Sequence, residues 1–295
     1  MSPAPVIGRF APSPSGDLHF GSLVSAVGSY LEAKAAGGTW LLRIEDLDPP
    51  REVAGSAARI IHDLHNLGMR PDGQILYQSG RFDVYQDYVN QLMEDGFAYP
   101  CACTRKDLPP SGIYPGTCRN GIRGGKTARA VRFRVNEKTC KFFDQVQGEM
   151  TGSPADSIGD FIIHRADGLY AYQLAVVIDD DFQGVTQVVR GADLLDSTCR
   201  QMCLQEALGF NSPDYMHLPL AISADGKKLS KRIQADPVKH QDPAFAVKTA
   251  LMFLGQQPPE NLGLGPLWDW AKVNWNSDLI PRRNAILADT DLTDC

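Results

Sequence analysis

Arg9-Phe10-Ala11-Pro12-Ser13-Pro14-Ser15-Gly16-Asp17-Leu18-His19-Phe20-Gly21-Ser22 is the stretch whose reading decides the fold. Before it, the apolar run Val6 to Phe10 reads as a strand. After it, Ser22 to Ala36 reads as a helix with Leu23, Val27, Tyr30 and Leu31 along one side, closed by Gly37-Gly38. A loop that leaves a strand and opens a helix aims backbone N–H groups, and the positive end of the helix, at an anion. Gly16 and Gly21 permit the turn and a close approach of ligand to backbone, the prolines stiffen it, and His19 can donate to a phosphate oxygen. His-x-Gly alone is better explained by an ordinary strand-to-helix turn with a surface histidine.

Outward from that loop, Thr39 to Ile44 reads as a second strand, and Glu52 to Leu67 and Asp83 to Asp95 as helices ended by Gly68 and Gly96. This alternation predicts an α/β fold with a doubly wound parallel sheet. The pattern breaks at Cys101 to Gly125, which is dense in Cys, Pro, Gly and Arg, and Ala128 to Val135 then alternates as a strand. From Asp160 it resumes with Phe161 to His164, a helix starting near Tyr172, Gln187 to Val189, and Leu194 to Leu208. The expected organisation is a catalytic domain built from residues 1–99 and 158–240, an inserted subdomain over 100–157, and a helical C-terminal segment over 241–295.

The chain of 295 residues, 43% hydrophobic and 22% charged, has the composition of a globular protein. No apolar run approaches the length of a membrane span, and Met1 to Arg9 lacks the pattern of a signal peptide. A cytoplasmic protein with no membrane partner is therefore expected. Seven unevenly placed cysteines then favour thiols over a disulfide framework. Cys199, Cys203, His62 and His65 read as packing residues on helices. The net charge of −6 is unevenly spread: Cys101 to Lys141 carries ten basic and two acidic residues, +8, leaving −14 for the remainder. A basic segment on an acidic body suits a selective polyanion contact, and equally a solvated loop.

A second loop, Asp225-Gly226-Lys227-Lys228-Leu229-Ser230-Lys231-Arg232, follows the apolar stretch Leu218 to Ile222. Its clustered cations and hydroxyl suit a clamp over a triphosphate, where charge builds on departing pyrophosphate. Together the two loops resemble the HIGH and KMSKS signatures of class I aminoacyl-tRNA synthetases. Arg9 to Gly16, Leu42 to Asp48 (Leu-Arg-Ile-Glu-Asp-Leu-Asp), Tyr77-Gln78-Ser79, Tyr172 to Asp180 and Val189 to Leu195 bring the resemblance closer to the glutamyl branch. It runs from about Val6 to Arg232. Ser22 departs from the second histidine of the first signature, Leu229 from the methionine of the second, and Arg232 from its last serine.

The resemblance implies a Rossmann-like catalytic domain that activates L-glutamate with ATP and Mg²⁺. It implies catalytic roles for His19 and Lys231, and ATP contacts from His19, Gly21, Ser22, Lys228, Ser230 and Lys231. It also implies a glutamate pocket from Arg9, Phe10, Ala11, Pro12, Ser13, Glu45, Tyr172 and Arg190. Glu45 is expected on the substrate ammonium, with Arg9 and Arg190 dividing the two carboxylates in an order the sequence leaves open. Cys101, Cys103 and Cys118 have spacing that can close a structural zinc site. The resemblance supplies Tyr114 as fourth ligand, and Cys140 competes on softness.

About sixty residues follow Arg232, too few for the tRNA-binding domains of a full glutamyl enzyme. The chain thus resembles the truncated glutamyl paralogues that place glutamate on queuosine in the anticodon of tRNA(Asp). The basic segment Arg119 to Lys141 is then expected to contact the anticodon stem-loop, and a monomer is expected. Acylation of a tRNA 3′ end, nucleotidyl transfer by the same sheet, and a non-catalytic glutamate sensor remain as alternatives.

Overall fold

The computed structural model describes residues 5–222 and 241–287. The chain opens with strand β1 (Ile7–Phe10), helix α1 (Phe20–Ala35) and strand β2 (Thr39–Ile44). Helix α2 (Ser56–Asn66), strand β3 (Leu76–Tyr77) and helix α3 (Phe82–Glu94) follow. β1, β2 and β3 form a parallel sheet in that order, with Arg9 opposite Leu41 and Phe10 opposite Leu42. α2 starts later than the expected Glu52, because Pro49–Arg51 turns as a 3₁₀ helix first.

The middle of the chain holds β4 (Ala98–Cys101), β5 (Ala130–Phe133), β6 (Cys140–Asp144), β7 (Gly148–Gly152), the short α4 (Pro154–Ser157) and β8 (Phe161–His164). Then come α5 (Tyr172–Phe182), β9 (Gln187–Gly191), α6 (Leu195–Leu208), β10 (Asp214–Leu218) and β11 (Leu220–Ile222). Residues 241–287 hold α7 (Pro243–Phe253), α8 (Leu264–Asn274) and β12 (Ala285–Leu287), which pairs with β11.

The architecture is mixed α/β rather than one purely parallel sheet. A second sheet runs β7-β6-β10-β9, parallel from β6 to β9 and antiparallel at β7. β4, β5 and β8 make an antiparallel third sheet. The two parallel sheets meet where the Thr186 N–H donates to the Ile7 carbonyl at 3.0 Å, just before β9. The expected insertion over 100–157 is therefore not one structural unit: residues 140–152 form a hairpin whose β6 joins the sheet that carries Arg190.

α1 packs across the junction. Leu23, Val27 and Leu31 are buried with Leu42 of β2, Val189 of β9 and Leu218 of β10. The close approach needs Gly28, since a Cβ there would meet Leu218 Cδ1 at 2.6 Å. Ala250, Leu251 and Trp268 of α7 and α8 share this core, and the Trp268 indole donates to the Leu67 carbonyl at 2.8 Å. The C-terminal helices are thus part of the main body. A second core joins α3, α5 and α6 to the antiparallel sheet, and a small third one surrounds Cys101, Tyr114 and Cys118.

One expectation about cysteines is overturned. Cys140 of β6 and Cys199 of α6 form a disulfide, so Cys199 is more than a packing residue and not every cysteine is a free thiol. Antiparallel pairing of β6 with β7 and the packing of α6 against β6 bring the two together across 59 residues. Among the described residues no helix is long and apolar enough to cross a membrane.

Candidate active site

A cavity of about 770 Å³ opens where β1, β9 and the start of α1 meet. Arg9, Phe10, Ala11, Pro12, Ser13, His19, Gly21, Ser22, Glu45, Tyr172 and Arg190 all line it. The structure thereby brings together every residue expected at the site from the first loop and the glutamate pocket. Lys228, Ser230 and Lys231, expected over the phosphates, lie outside the described residues.

Local bonding fixes the loop. His19 is the N-cap of α1, its backbone extended and its Nδ1 accepting the Ser22 N–H at 3.2 Å. This leaves the helix start facing the cavity with its positive end. Gly16 sits at φ 146°, where a side chain would be strained, and its N–H donates to Ser56 Oγ at 3.1 Å. The Glu45 N–H donates to the Pro12 carbonyl at 3.0 Å, tying the end of β2 to the loop that follows β1.

Behind the wall lies a buried charge cluster. Asp180 of α5 accepts from Arg9 Nε at 3.1 Å and from Arg43 Nη1 at 2.8 Å. Burial pushes the Asp180 carboxyl up, but Arg43 and Arg9 outweigh it and hold the group below its usual range. Arg43 is fully buried, and its Nη2 stands 3.6 Å from Glu45, an ionic contact rather than a hydrogen bond. Burial raises the Glu45 carboxyl to about 7 against the pull of Arg43 and Arg9. Glu45 accepts no side-chain hydrogen bond from the described residues, and it lines the cavity with Arg43 as its ionic neighbour.

Arg190 is held differently. Its Nε donates to His217 Nε2 at 2.9 Å, Nη1 to Gln201 Oε1 at 2.7 Å and Nη2 to Thr198 Oγ1 at 2.9 Å. All three partners are uncharged acceptors, and no carboxylate of the described residues pairs with it. Tyr172, at the start of α5, stands nearby with its phenol pKa raised by burial and by Glu45. A smaller cavity of about 150 Å³ adjoins the first and shares Ser13, Ser15, Glu45, Arg51 and Tyr172 as walls, with Asp48, Glu52 and Arg165 on its far side.

Sequence reading missed Arg43, Asp180, His217, Thr198 and Gln201. Arg43 and Asp180 lay inside stretches already singled out, and the signal was a charge at an otherwise apolar position. His217 had no comparable signal.

The cysteine cluster is a separate centre. Cys101, Cys103 and Cys118 place their sulfurs within 4.8 Å of one another. The Tyr114 phenol oxygen is 3.4 Å from Cys101 Sγ and 3.6 Å from Cys103 Sγ, and Cys103 and Cys118 sulfurs are 3.6 Å apart. Two thiolates bound about 2.3 Å from a tetrahedral ion would be about 3.8 Å apart, so the spacing fits. Cys140, tied to Cys199, is removed as the competing fourth ligand. The Arg132 guanidinium lies 3.8 Å over the Tyr114 ring and its Nε donates to Cys101 Sγ.

That last contact corrects part of the expected nucleic-acid surface. Arg132 is buried, and Arg119 and Arg134 are also engaged internally, Arg119 through Asp160 and Arg134 through the Arg119 carbonyl. The exposed cations of the segment are Arg123, Lys126, Arg129, Lys138 and Lys141.

The catalytic-domain model of class I tRNA synthetases (E and Q) matches residues 5–110 and 117–262. A Pseudomonas fluorescens protein named glutamyl-Q tRNA(Asp) synthetase is 51% identical over 280 residues, 94% of this chain and 94% of its own. One of the same name from Chromobacterium violaceum is 50% identical over 289 residues, 95% of this chain and 97% of its own. A crystal structure of a glutamate tRNA ligase from Elizabethkingia meningosepticum, in complex with its amino acid, superposes with a TM-score of 0.79 at 26% identity. It is matched over 95% of this chain, which spans 66% of that ligase's length.

Proposed function

From its place in the class I tRNA synthetases (E and Q), the family to which the chain belongs, we propose that it joins L-glutamate to queuosine in the anticodon of tRNA(Asp), using ATP. The observation that carries the amino acid is the cavity itself, which sets Arg9, Arg190 and the Glu45 carboxylate around a space beside the start of α1. A glutamate has one ammonium and two carboxylates, and the charges match. The acceptor is supported by relatives of matching length that bear the name glutamyl-Q tRNA(Asp) synthetase.

Glu45 takes the substrate ammonium. Arg190, whose charge no carboxylate among the described residues cancels, takes the side-chain carboxylate, and Arg9 steadies the α-carboxylate. The α-carboxylate oxygen attacks the α-phosphorus of ATP, the bond to the bridging oxygen breaks, and pyrophosphate leaves. Mg²⁺, bound together with ATP, would supply countercharge to the phosphates. His19 and the N–H groups opening α1 stabilise the phosphates, with Lys228, Ser230 and Lys231 completing the clamp. In the second step a queuosine hydroxyl attacks the glutamyl carbonyl, an ester forms and AMP departs. The smaller cavity, sharing Ser13, Glu45 and Tyr172, gives that hydroxyl a route to the adenylate. Cys101, Cys103, Tyr114 and Cys118 would hold one structural zinc ion, whose role would be to stabilise the segment that carries them.

Charging purified tRNA(Asp) with labelled glutamate, with and without queuosine, tests the reading. Label is expected on the queuosine-bearing tRNA alone. Label on tRNA(Glu) without queuosine would replace the reading with 3′-end acylation.

A further inference from the structure

Three buried residues form a row across the second sheet, and only the last of them reaches the cavity. β6, β10 and β9 lie side by side, with Arg190 directly opposite His217 and Asp144 opposite Tyr215. His217 Nδ1 is 2.6 Å from Asp144 Oδ2, and His217 Nε2 is 2.9 Å from Arg190 Nε. Asp144 and His217 are wholly buried and line neither cavity.

The hydrogen bonds fix the protonation of the row. Asp144 Oδ1 accepts N–H groups from Val146 at 3.1 Å, Gln147 at 2.9 Å and His217 at 3.1 Å. Burial pushes this carboxyl up, yet the His217 hydrogen bond and those backbone donors hold it below its usual range, so it is ionised. Its remaining oxygen accepts a hydrogen bond from Nδ1–H, which leaves the neutral ring with Nε2 as a bare acceptor. Facing Nε2 are the Arg190 Nε–H and, at 3.3 Å, the Thr198 hydroxyl. A proton on Nε2 would set donor against donor.

The geometry points to Asp144 and His217 as positioning residues that fix the Arg190 guanidinium for the substrate's carboxylate without cancelling its charge. A carboxylate in the place of His217 would hold the arginine equally well but neutralise it. A neutral imidazole, oriented from behind by Asp144, holds without neutralising. Three of the five guanidinium N–H groups are spent on His217, Gln201 and Thr198, and two remain for a ligand. The inference rests on the assignment of Arg190 to a glutamate carboxylate, and the test separates the two.

Glutamate-dependent pyrophosphate exchange is measured on the full chain and on Asp144→Asn, His217→Leu, His217→Gln and Arg190→Ala. Asp144→Asn preserves shape. Its carbonyl oxygen stays with the three backbone donors, its amide N–H₂ faces Nδ1, and the imidazole proton is driven onto Nε2 against Arg190. Asp144→Asn and His217→Leu should each raise KM for glutamate about tenfold or more while KM for ATP changes less than about twofold. His217→Gln, whose carbonyl can accept from Arg190 Nε, should recover most of the loss. Long-range ¹H–¹⁵N spectra should show the His217 proton on Nδ1 in the parent chain and on Nε2 in Asp144→Asn. Equal rises in both KM values together with a fall in Tm would reduce the pair to a structural role. An unchanged KM for glutamate in Asp144→Asn, with a raised one in Arg190→Ala, would overturn the inference alone. No change in Arg190→Ala would remove the pocket assignment beneath it.

Discussion

Arg9 and Asp180, 171 residues apart in sequence, are ion-paired at 3.1 Å immediately behind the cavity wall. Asp180 also holds Arg43, which has no exposure to solvent, so one carboxylate compensates two guanidinium groups. Removing one partner of a buried pair strands the other charge, at a cost of about 3–5 kcal/mol. Asp180→Ala should therefore lower unfolding free energy by that order in urea titrations, and raise KM for glutamate as Arg9 loses its anchor. Asp180→Asn keeps one acceptor and should fall between the two. A loss below about 1 kcal/mol in the alanine variant would show that Arg43 finds another partner.

Glu45 gives the site a pH dependence. Its carboxyl is raised to about 7 by burial, and only the ionised form attracts an ammonium. Glutamate affinity in the free enzyme should therefore rise as pH increases from about 6 to 8, with a midpoint near 7, when followed by pyrophosphate exchange. For stability the direction reverses. The folded chain keeps a proton on Glu45 that the unfolded chain releases near 4.5, so its contribution declines as pH rises from 4.5 to about 7. Glu45→Gln should bind glutamate weakly at every pH and flatten that limb of the profile.

The cavity wall was legible in sequence because its chemistry is concentrated in short ordered stretches. Arg9 to Ser22 is strand, turn and helix start in fourteen residues, and its geometry follows from local rules alone. Glu45, Tyr172 and Arg190 came from matching blocks, and the cavity gathers them all. What stayed hidden depends on pairings between distant strands. Cys140 looked like a zinc ligand by type, but β6 carries it into the second sheet, opposite Cys199. Arg132 read as a surface cation, yet its alternation within β5 turns it inward over Tyr114. His217 carried no local signature, since its meaning lies in its register with Arg190.

Metal removal should separate the two centres. Purified chain should carry about one zinc per molecule, and Cys103→Ser or a strong chelator should remove it. Tyr114→Phe keeps the ring beneath Arg132 but deletes the phenol oxygen, so it should weaken metal retention more than it disturbs packing. Cys140→Ser should leave zinc content unchanged, because Cys140 is committed to Cys199. In each metal-depleted form, Tm and tRNA charging should drop while glutamate-dependent pyrophosphate exchange persists. A zinc-free chain with full Tm would remove the structural role.

The basic segment makes its prediction through exposure. Arg123, Lys126 and Arg129 are exposed, and Lys126 has only a 3.8 Å contact with Asp107, whereas Arg132 is locked over Tyr114. Phosphate contacts release counterions, so each one lost should shallow the salt dependence of tRNA binding by about one unit of log–log slope. Charge reversal at Arg123, Lys126 and Arg129 together should weaken tRNA charging, reduce that slope and leave pyrophosphate exchange intact. Arg132→Glu should behave otherwise, lowering Tm because it places a carboxylate against Cys101 and the Asp160 carbonyl, both of which now accept from the guanidinium. If the triple variant charged tRNA normally across a salt titration, the nucleic acid would have to dock on another face.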